Sequence, residues 1–211
     1  MTVRRAAFLF GALAAAQFAL AGGASAQSVQ KPKTLPIAEQ AIRNFGICVV
    51  EHTELGARRV MAMEYGTRGF SRALARIAKG HDYCAPGAEM KFDVMLMGGS
   101  LGEALIRKDV GRDGLIRAVA AVQARPDPIK AVDAVEGVGL CMVMANPAAV
   151  YDLFETEPAT PGAEQAFRAL GGDIVNCVPQ GQQMRLSRLG LRSILAIASY
   201  RIAREGGVVR K

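Results

Sequence analysis

The chain has no tryptophan, only two histidines, and few aromatic residues, 6% of its 211 residues. Its formal net charge is +7, yet no block of five or six basic residues occurs. Nucleic-acid recognition usually requires a basic stripe with stacking aromatics or a recognisable module. The sequence shows neither, so a nucleic-acid partner is not expected.

The first 26 residues have the pattern of a secretory signal peptide. Arg4 and Arg5 form a positive start, residues 6–21 are uncharged and apolar, and a small-x-small sequence ends at Ala26. We therefore predict cleavage between Ala26 and Gln27, and a periplasmic or secreted protein. The alternative is a retained membrane anchor. A spanning helix needs roughly 20 strongly apolar residues, and glutamine, glycine and serine interrupt this stretch.

Two stretches of the chain look like copies of each other. The first reads F-G-I-C at 45–48 and C-A-P at 84–86, and the second reads V-G-L-C at 138–141 and C-V-P at 177–179. The cysteine spacing is 36 in both copies (84 − 48 and 177 − 141). This agreement predicts an internal duplication.

Four cysteines in an exported chain indicate two disulfides. Three pairings are possible, and if both copies fold alike the bonds are Cys48–Cys84 and Cys141–Cys177. A structural zinc site is the competing interpretation. Zinc ligands usually come in closely spaced pairs such as C-x2-C or H-x3-H, and the chain contains neither spacing. We predict no metal and no cofactor.

Apolar residues recur at intervals of three and four through both copies, which is the period of half-buried helices. Pro36 suits the first position of a helix, and Asp127-Pro128 suggests the same start in the second copy. We expect a break at 51–54 and at Asn146-Pro147, then a short helix. A turn beginning at Thr67 or Thr160 follows, and a third helix that ends with Cys84 or Cys177 just before a proline.

The closing segment of each copy aligns at an offset of 94. In the second copy, residues 186–204 have a strong helical pattern. In the first copy the start is ambiguous between strand and helix, because apolar residues alternate at 92–96 and Gly98-Gly99 follows. By comparison with the second copy, we expect Met95 to Arg107 to be largely helical.

Residues 109–125 lie between the copies and fit a connecting helix. Asp113 is a candidate cap, and Leu115, Val119 and Val122 would face a seam between the copies. The predicted fold is therefore all-α, with two tandem four-helix units joined by a helical connector. The predicted boundaries are a signal peptide at 1–26, unit 1 at 27–108, the connector at 109–126 and unit 2 at 127–211.

The shared motifs resemble those of a group of small exported proteins from Gram-negative bacteria. The motifs are F/V-G-x-C-x-V, T-x-G, C-x-P and a closing A-x-x-R, and they cover 45–107 and 138–201. Members of this group tend to have L-R-G-x-L-A-E-A-L in the closing helix, where the first copy reads M-G-G-S-L-G-E-A-L at 97–105. The resemblance implies a helical architecture of one or two repeats. It implies no activity and no catalytic residue.

The sequence around Ser100 is a G-x-S-x-G, the pattern of the nucleophile elbow in α/β-hydrolases. In those enzymes the histidine follows the serine, but His52 and His81 both precede Ser100. The second copy also lacks the equivalent glycines. A small serine hydrolase that uses Ser100 is therefore the alternative to our main interpretation.

Other candidate sites have ordinary structural explanations. Glu51, Glu54 and Glu64, or Glu155 and Glu157, lie near predicted helix ends, where carboxylates favour the helix dipole. Methionines are numerous and suit an adaptable apolar pocket; the candidates are Met61, Met63, Met95, Met97, Met142 and Met144. We expect no catalytic residue and predict a binding or interaction module of the cell envelope. Its partner would be an envelope protein or a small apolar ligand.

Overall fold

A computed structural model describes residues 36–85, 93–181 and 184–209, and these ranges are helical with no strand. The all-α prediction is therefore confirmed. The predicted signal peptide lies outside the described residues. The elements are α1 Pro36–Met61, α2 Arg68–Gly80, a 3-10 turn Asp82–Cys84, α3 Val94–Leu105, a π turn Ile106–Val110, α4 Gly111–Gln123, α5 Ala134–Ala145, α6 Pro147–Glu155, α7 Pro161–Ala169, α8 Gly171–Cys177 and α9 Arg188–Glu205.

The centre of the fold is the pair α3 and α9, which pack against each other. Helix α1 covers the other side of α3, while α5 and α4 cover α9. Fourteen of the 18 residues of α9 are buried. A helix enclosed by neighbours on all sides needs apolar or small residues on all of its faces. Side chains from both predicted units thus belong to one core.

Glycine allows the central helices to approach closely. A Cβ added at Gly99 of α3 would lie 2.3 Å from the Cβ of Ser193 on α9. A Cβ added at Gly46 of α1 would lie 2.4 Å from the carbonyl oxygen of Ser100 on α3. Real side chains do not occupy such distances, so these glycines are required by packing. Gly99, which occupies the variable position before the serine in the G-x-S-x-G pattern, is thus a helix-packing residue.

The predicted breaks in the first helix of each copy are confirmed. Thr53 has φ −144° and ψ 56° and kinks α1. Asn146 has φ −147° and ψ 67° and separates α5 from α6. Helices α2 and α7 are both capped by a threonine: Thr67 accepts from the Phe70 amide, and Thr160 accepts from the Ala163 amide. A capping hydroxyl satisfies an amide that the first helical turn leaves unpaired.

The closing segments are also helical, as expected. Helix α3 begins after Asp93, whose carboxylate accepts from the Met95 amide. Helix α9 begins after Ser187, whose hydroxyl accepts from the Gly190 amide. Leu115, Val119 and Val122 are buried on α4, which packs against α6 and α9.

Several expected boundaries are wrong. Helix α5 begins at Ala134, capped by Asp133, and not at Asp127-Pro128. The preceding loop is held by polar bonds instead: Glu136 accepts from the Val132 amide, and Arg201 donates to the carbonyl of Lys130. These bonds give the loop backbone partners that a helix would otherwise supply.

Asp113 does not cap α4. The chain turns at Gly111 (φ 67°), α4 begins there, and no side chain caps it. Asp113 instead lies in the first helical turn, where a carboxylate favours the helix dipole.

The third helices also differ from expectation. Cys84 lies in the 3-10 turn beyond α2, and Leu170 divides the third helix of the second copy into α7 and α8.

Within the described residues, no single helix has both the length and the apolar character to cross a membrane. Helices α5 and α6 together meet the length and composition requirement, with a bend of 102° between them.

Candidate functional site

Both predicted disulfides are formed. Cys48 of α1 is bonded to Cys84 of the 3-10 turn, with Cα atoms 5.7 Å apart. Cys141 of α5 is bonded to Cys177 of α8, with Cα atoms 5.6 Å apart. All four cysteines are therefore paired in disulfides, and a disulfide sulfur is not the thiolate that a zinc ion binds.

A cavity of 440 Å³ lies between α2, the start of α3 and the 3-10 turn of the first disulfide. Its apolar lining includes Phe45, Leu74, Val94 and Met97, of which Phe45, Leu74 and Met97 are buried in the core. Ligand sites are typically concave and apolar, with a few polar groups that orient the ligand. This cavity has that composition and is the candidate binding site.

The polar residues around the cavity are Ser71, Lys79, Asp82 and Asp93. Ser71 donates its hydroxyl to the Thr67 carbonyl at 3.1 Å, and Asp93 caps α3. Lys79 and Asp82 place one charge of each sign beside the apolar lining. Such an arrangement suits an apolar molecule with at most a small polar end.

The methionines only partly follow the pocket hypothesis. Met97 lines the cavity. Met61 and Met142 are buried in the core, and Met63 is exposed. Met61 and Met142 therefore fill space between helices, a role for which their flexible side chains are suited.

A buried charge cluster connects α1, α3 and α9. The side chains of Arg43, Glu103 and Arg192 are 7%, 6% and 5% exposed. Glu103 accepts from Arg43 Nε at 3.0 Å and from Arg192 Nε and Nη2 at 2.7 and 2.8 Å. A buried carboxylate requires such charge-assisted bonds to offset its lost hydration.

The same cluster reaches the end of α6. Arg192 donates to the carbonyl oxygens of Phe154 and Thr156, and Arg43 donates to Glu157 at 2.7 Å. Burial opposes ionisation of Glu157, but hydrogen bonds from Gln40 and Arg43 and the Arg43 charge hold its pKa below the ordinary value. The cluster uses its polar atoms within the protein, and this favours a structural role.

Glu39 lies beside this cluster, and its pKa is raised, whereas that of Glu157 is lowered. Burial raises its pKa, and the charges of Arg192 and Arg188 oppose the shift without cancelling it.

The sequence did not single out Arg43, Glu103 or Arg192. The available signal was the position of Glu103 and Arg192 within apolar helical stretches.

Glu54 and Glu155, two of the carboxylates considered for catalysis, form ion pairs. Glu54 binds Arg58 and Lys108, and the hydrogen bond from Lys108 is the main cause of its lowered pKa. Glu155 binds Arg107 at 3.1 Å. These residues lie on helix surfaces, as expected from the sequence.

Ser100 lies inside α3 and is 6% exposed. Its hydroxyl donates to the carbonyl of Met97 at 2.9 Å. Residues 94–97 are helical, so Ser100 lacks the strand-to-helix turn that exposes the nucleophile in α/β-hydrolases.

The two histidines, separate in sequence, are brought together at the first disulfide. The ring centroids of His52 and His81 lie 5.2 and 5.6 Å from that of Tyr83. His52 Nδ1 is 3.8 Å from Cys48 Sγ. The sequence did not predict this cluster, because the closely spaced zinc-ligand pairs C-x2-C and H-x3-H are absent from the chain and a histidine–cysteine nucleophilic pair needs a free thiol. The mixed spacings C-x3-H at 48–52 and H-x2-C at 81–84 were the signal.

Comparisons of the chain with protein-family models, curated proteins and solved structures give no match. The proposals below therefore rest on the residues of this chain. The cavity and the first disulfide each combine solvent access with specific chemistry.

Proposed function

We propose that the chain is an exported, non-catalytic binding module of the cell envelope, and that its ligand is a small apolar molecule. The observation that carries this proposal is the 440 Å³ cavity with its apolar lining from α1, α2 and α3. Two disulfides support an oxidising location outside the cytoplasm. The signal-peptide pattern at 1–26 and the resemblance to small exported proteins favour the same location.

We also infer that the scaffold is a tandem of two four-helix units, 27–108 and 127–211, joined by the connector 109–126. The breaks at Thr53 and Asn146 support this, because they lie at the predicted offset of 93 and share a backbone conformation. The disulfides have the same separation of 36 residues. The caps Asp93 and Ser187 of the closing helices differ by the predicted offset of 94.

Close helix contacts give further support for duplication. Gly46 approaches the carbonyl oxygen of Ser100, and Gly139 approaches that of Ile194. Gly139 lies 93 residues after Gly46, and Ile194 lies 94 residues after Ser100. The first helix of each proposed unit thus uses a glycine to contact the same position of its own closing helix.

The binding experiment uses the oxidised mature chain, 27–211, and an apolar fluorescent dye such as anilinonaphthalene sulfonate. Ala75, an exposed residue of α2, contributes to the cavity lining. Ala75→Trp would place a large ring in the cavity and should weaken dye binding at least about tenfold, or ~1.4 kcal/mol.

Arg168→Trp is the matched control, because Arg168 is also exposed and lies 93 residues after Ala75. It should leave the dissociation constant of the dye within about twofold, a change of ~0.4 kcal/mol. The absence of saturable binding to the unmodified chain would overturn the proposal, as would equal effects of both tryptophans.

Ser100→Ala tests the non-catalytic part of the proposal. Neither the unmodified protein nor this variant should hydrolyse generic ester substrates above the buffer rate. Hydrolysis by the unmodified chain that Ser100→Ala abolishes would establish the hydrolase alternative.

A further inference from the structure

His52 presents an N–H group to the sulfur of Cys48. Its Nδ1 atom lies 2.9 Å from the carbonyl oxygen of Cys48 and 3.8 Å from Cys48 Sγ. A carbonyl oxygen only accepts hydrogen bonds, so the Nδ1 atom carries the proton. The same N–H therefore faces the sulfur, one helical turn away on α1.

The second disulfide lacks this neighbour. Cys48–Cys84 and Cys141–Cys177 have the same sequence separation and nearly equal Cα distances, and all four cysteines are partly buried. Ala145 lies four residues after Cys141, where His52 lies after Cys48. The chain thus contains two closely similar disulfides, and a histidine accompanies one of them.

We propose that Cys48–Cys84 is a redox-active disulfide that exchanges with external thiols, that His52 stabilises the departing Cys48 thiolate, and that Cys141–Cys177 is structural. This function is independent of ligand binding in the cavity. The rate of exchange depends on how well the leaving thiolate is stabilised, and a neighbouring imidazole N–H provides that stabilisation.

The exchange proceeds in two steps. An external thiolate attacks Cys84 Sγ and forms a mixed disulfide, the bond between the two cysteine sulfurs breaks, and its electron pair goes to Cys48 Sγ facing the His52 N–H. A second external thiolate then attacks the external sulfur of the mixed disulfide and releases Cys84. Two thiols are oxidised to one disulfide, the protein disulfide is reduced to two thiols, and the two protons pass from the external thiols to Cys48 and Cys84.

The reacting bond lies between two elements with several titratable groups. Glu51 and His52 are on α1, and His81, Asp82 and Tyr83 are at the 3-10 turn. The ring of Tyr83 contacts both imidazoles. His81 donates its Nδ1 proton to the carbonyl of Ile77 at 2.9 Å. His52 makes the matching bond to the carbonyl of Cys48, and its Nδ1 atom also lies 3.8 Å from the sulfur of Cys48.

The test measures the reduction rate of each disulfide in the same molecule. The oxidised mature chain is mixed with glutathione or dithiothreitol in the presence of a chelator and quenched with acid at successive times. Free thiols are blocked with one alkylating label, the remaining disulfides are reduced and blocked with another, and peptides are quantified by mass spectrometry. Cys48–Cys84 should be reduced at least about tenfold faster than Cys141–Cys177, or ~1.4 kcal/mol in activation free energy.

Two variants test the role of His52. His52→Ala should bring the rate of Cys48–Cys84 to within about twofold of the second disulfide, ~0.4 kcal/mol in activation free energy. Ala145→His places an imidazole at the matching position of α5 and should accelerate reduction of Cys141–Cys177. The second variant tests the proposal even if the first variant alters local folding.

The ratio of the two rates is independent of how much attacking thiolate is present, because both disulfides meet the same reagent. Acceleration of the second disulfide by Ala145→His separates a chemical role of the imidazole from a structural one, because a purely structural role of His52 would not be transferred to α5. Equal rates for the two disulfides, or a ratio that His52→Ala leaves unchanged, would overturn the proposal.

Discussion

Thr53 and Asn146 have the same backbone conformation, with φ near −145° in both, although they lie 93 residues apart (146 − 53). At Thr53 the helix continues beyond the kink. At Asn146 the chain leaves α5, and Pro147 begins α6. Different residues therefore adopt the same backbone conformation at the break. The helical segment that follows is buried at Ala57 and Val60 in the first half and at Val150 and Leu153 in the second.

Asn146 stabilises its bend by two side-chain hydrogen bonds. Its Oδ1 accepts from the Ala149 amide at 3.2 Å, and its Nδ2 donates to Asp173 at 3.2 Å. Asn146→Ala should lower the free energy of unfolding by about 1 kcal/mol, because an N-terminal cap is lost. Asn146→Thr, which introduces the residue found at position 53, should retain part of this stability. Urea unfolding followed by circular dichroism measures both, and equal losses would argue against the capping role.

Glu103 is the only carboxylate among the three buried side chains Arg43, Glu103 and Arg192. Glu103→Gln would leave the buried guanidinium of Arg192 without its counter-charge and that of Arg43 with Glu157 alone, and it should lower the free energy of unfolding by about 3 to 5 kcal/mol. Glu155→Gln breaks an exposed ion pair with Arg107 and should cost about 0 to 1 kcal/mol. Denaturant unfolding compares the two. A loss below about 1 kcal/mol for Glu103→Gln would show that the buried charge cluster does not stabilise the packing of α1, α3 and α9.

Gly99 lies at the closest approach of α3 and α9. Gly99→Ala would place a Cβ 2.3 Å from that of Ser193, which forces the helices apart and should cost about 1 to 3 kcal/mol. Gly172→Ala is the control, since a Cβ there meets nothing within 4 Å, and it should change stability by less than about 1 kcal/mol. Thermal unfolding of both variants is the measurement. A stability for Gly99→Ala equal to that of the unmodified chain would contradict the close packing.

Tyr65 provides a prediction at alkaline pH. Burial, then the negative charges of Asp133, Asp93 and Glu136, raise its pKa from 10.0 to about 12. Between these values the unfolded chain releases the phenolic proton while the folded chain retains it. Stability is therefore fully present below pH 10 and falls as the pH rises toward 12.

The alkaline loss due to Tyr65 should be about 1 to 2 kcal/mol, less than the full shift implies because the ring is partly solvent-accessible. Tyr65→Phe removes the titrating group, so its stability should fall less than that of the unmodified chain over this range. Urea titrations from pH 9 to 12 test this. Parallel curves for the two proteins would contradict the raised pKa.

The sequence was sufficient for features that depend on local chemistry or on the comparison of the two copies. Pro36 begins α1, Thr67 and Thr160 cap the next helices, and the cysteines pair as the duplication requires. The start of α5 was predicted wrongly. Asp127-Pro128 resembled a capped helix start. The true cap is Asp133, and its position depends on the loop that Arg201 holds.

The buried charge cluster was beyond local sequence reasoning. Glu103 bonds to residues 60 and 89 positions away, and charged residues are normally assigned to the solvent-facing side of a helix. The cavity was also beyond local sequence reasoning, because its lining comes from three separate helices, α1, α2 and α3. The histidine neighbour of the first disulfide was accessible from sequence through the i and i+4 positions of Cys48 and His52 on one helix.

The central claim is that the cavity beside the first disulfide binds a small apolar ligand. Methyl-detected NMR of the oxidised mature chain during titration with the dye tests it most directly. Methyl signals of Leu74, Val94 and Met97, which line the cavity, should shift together with one saturation curve, while those of Leu153 and Leu191 should stay unchanged. The absence of saturable shifts, or shifts confined to Leu153 and Leu191, would contradict the claim.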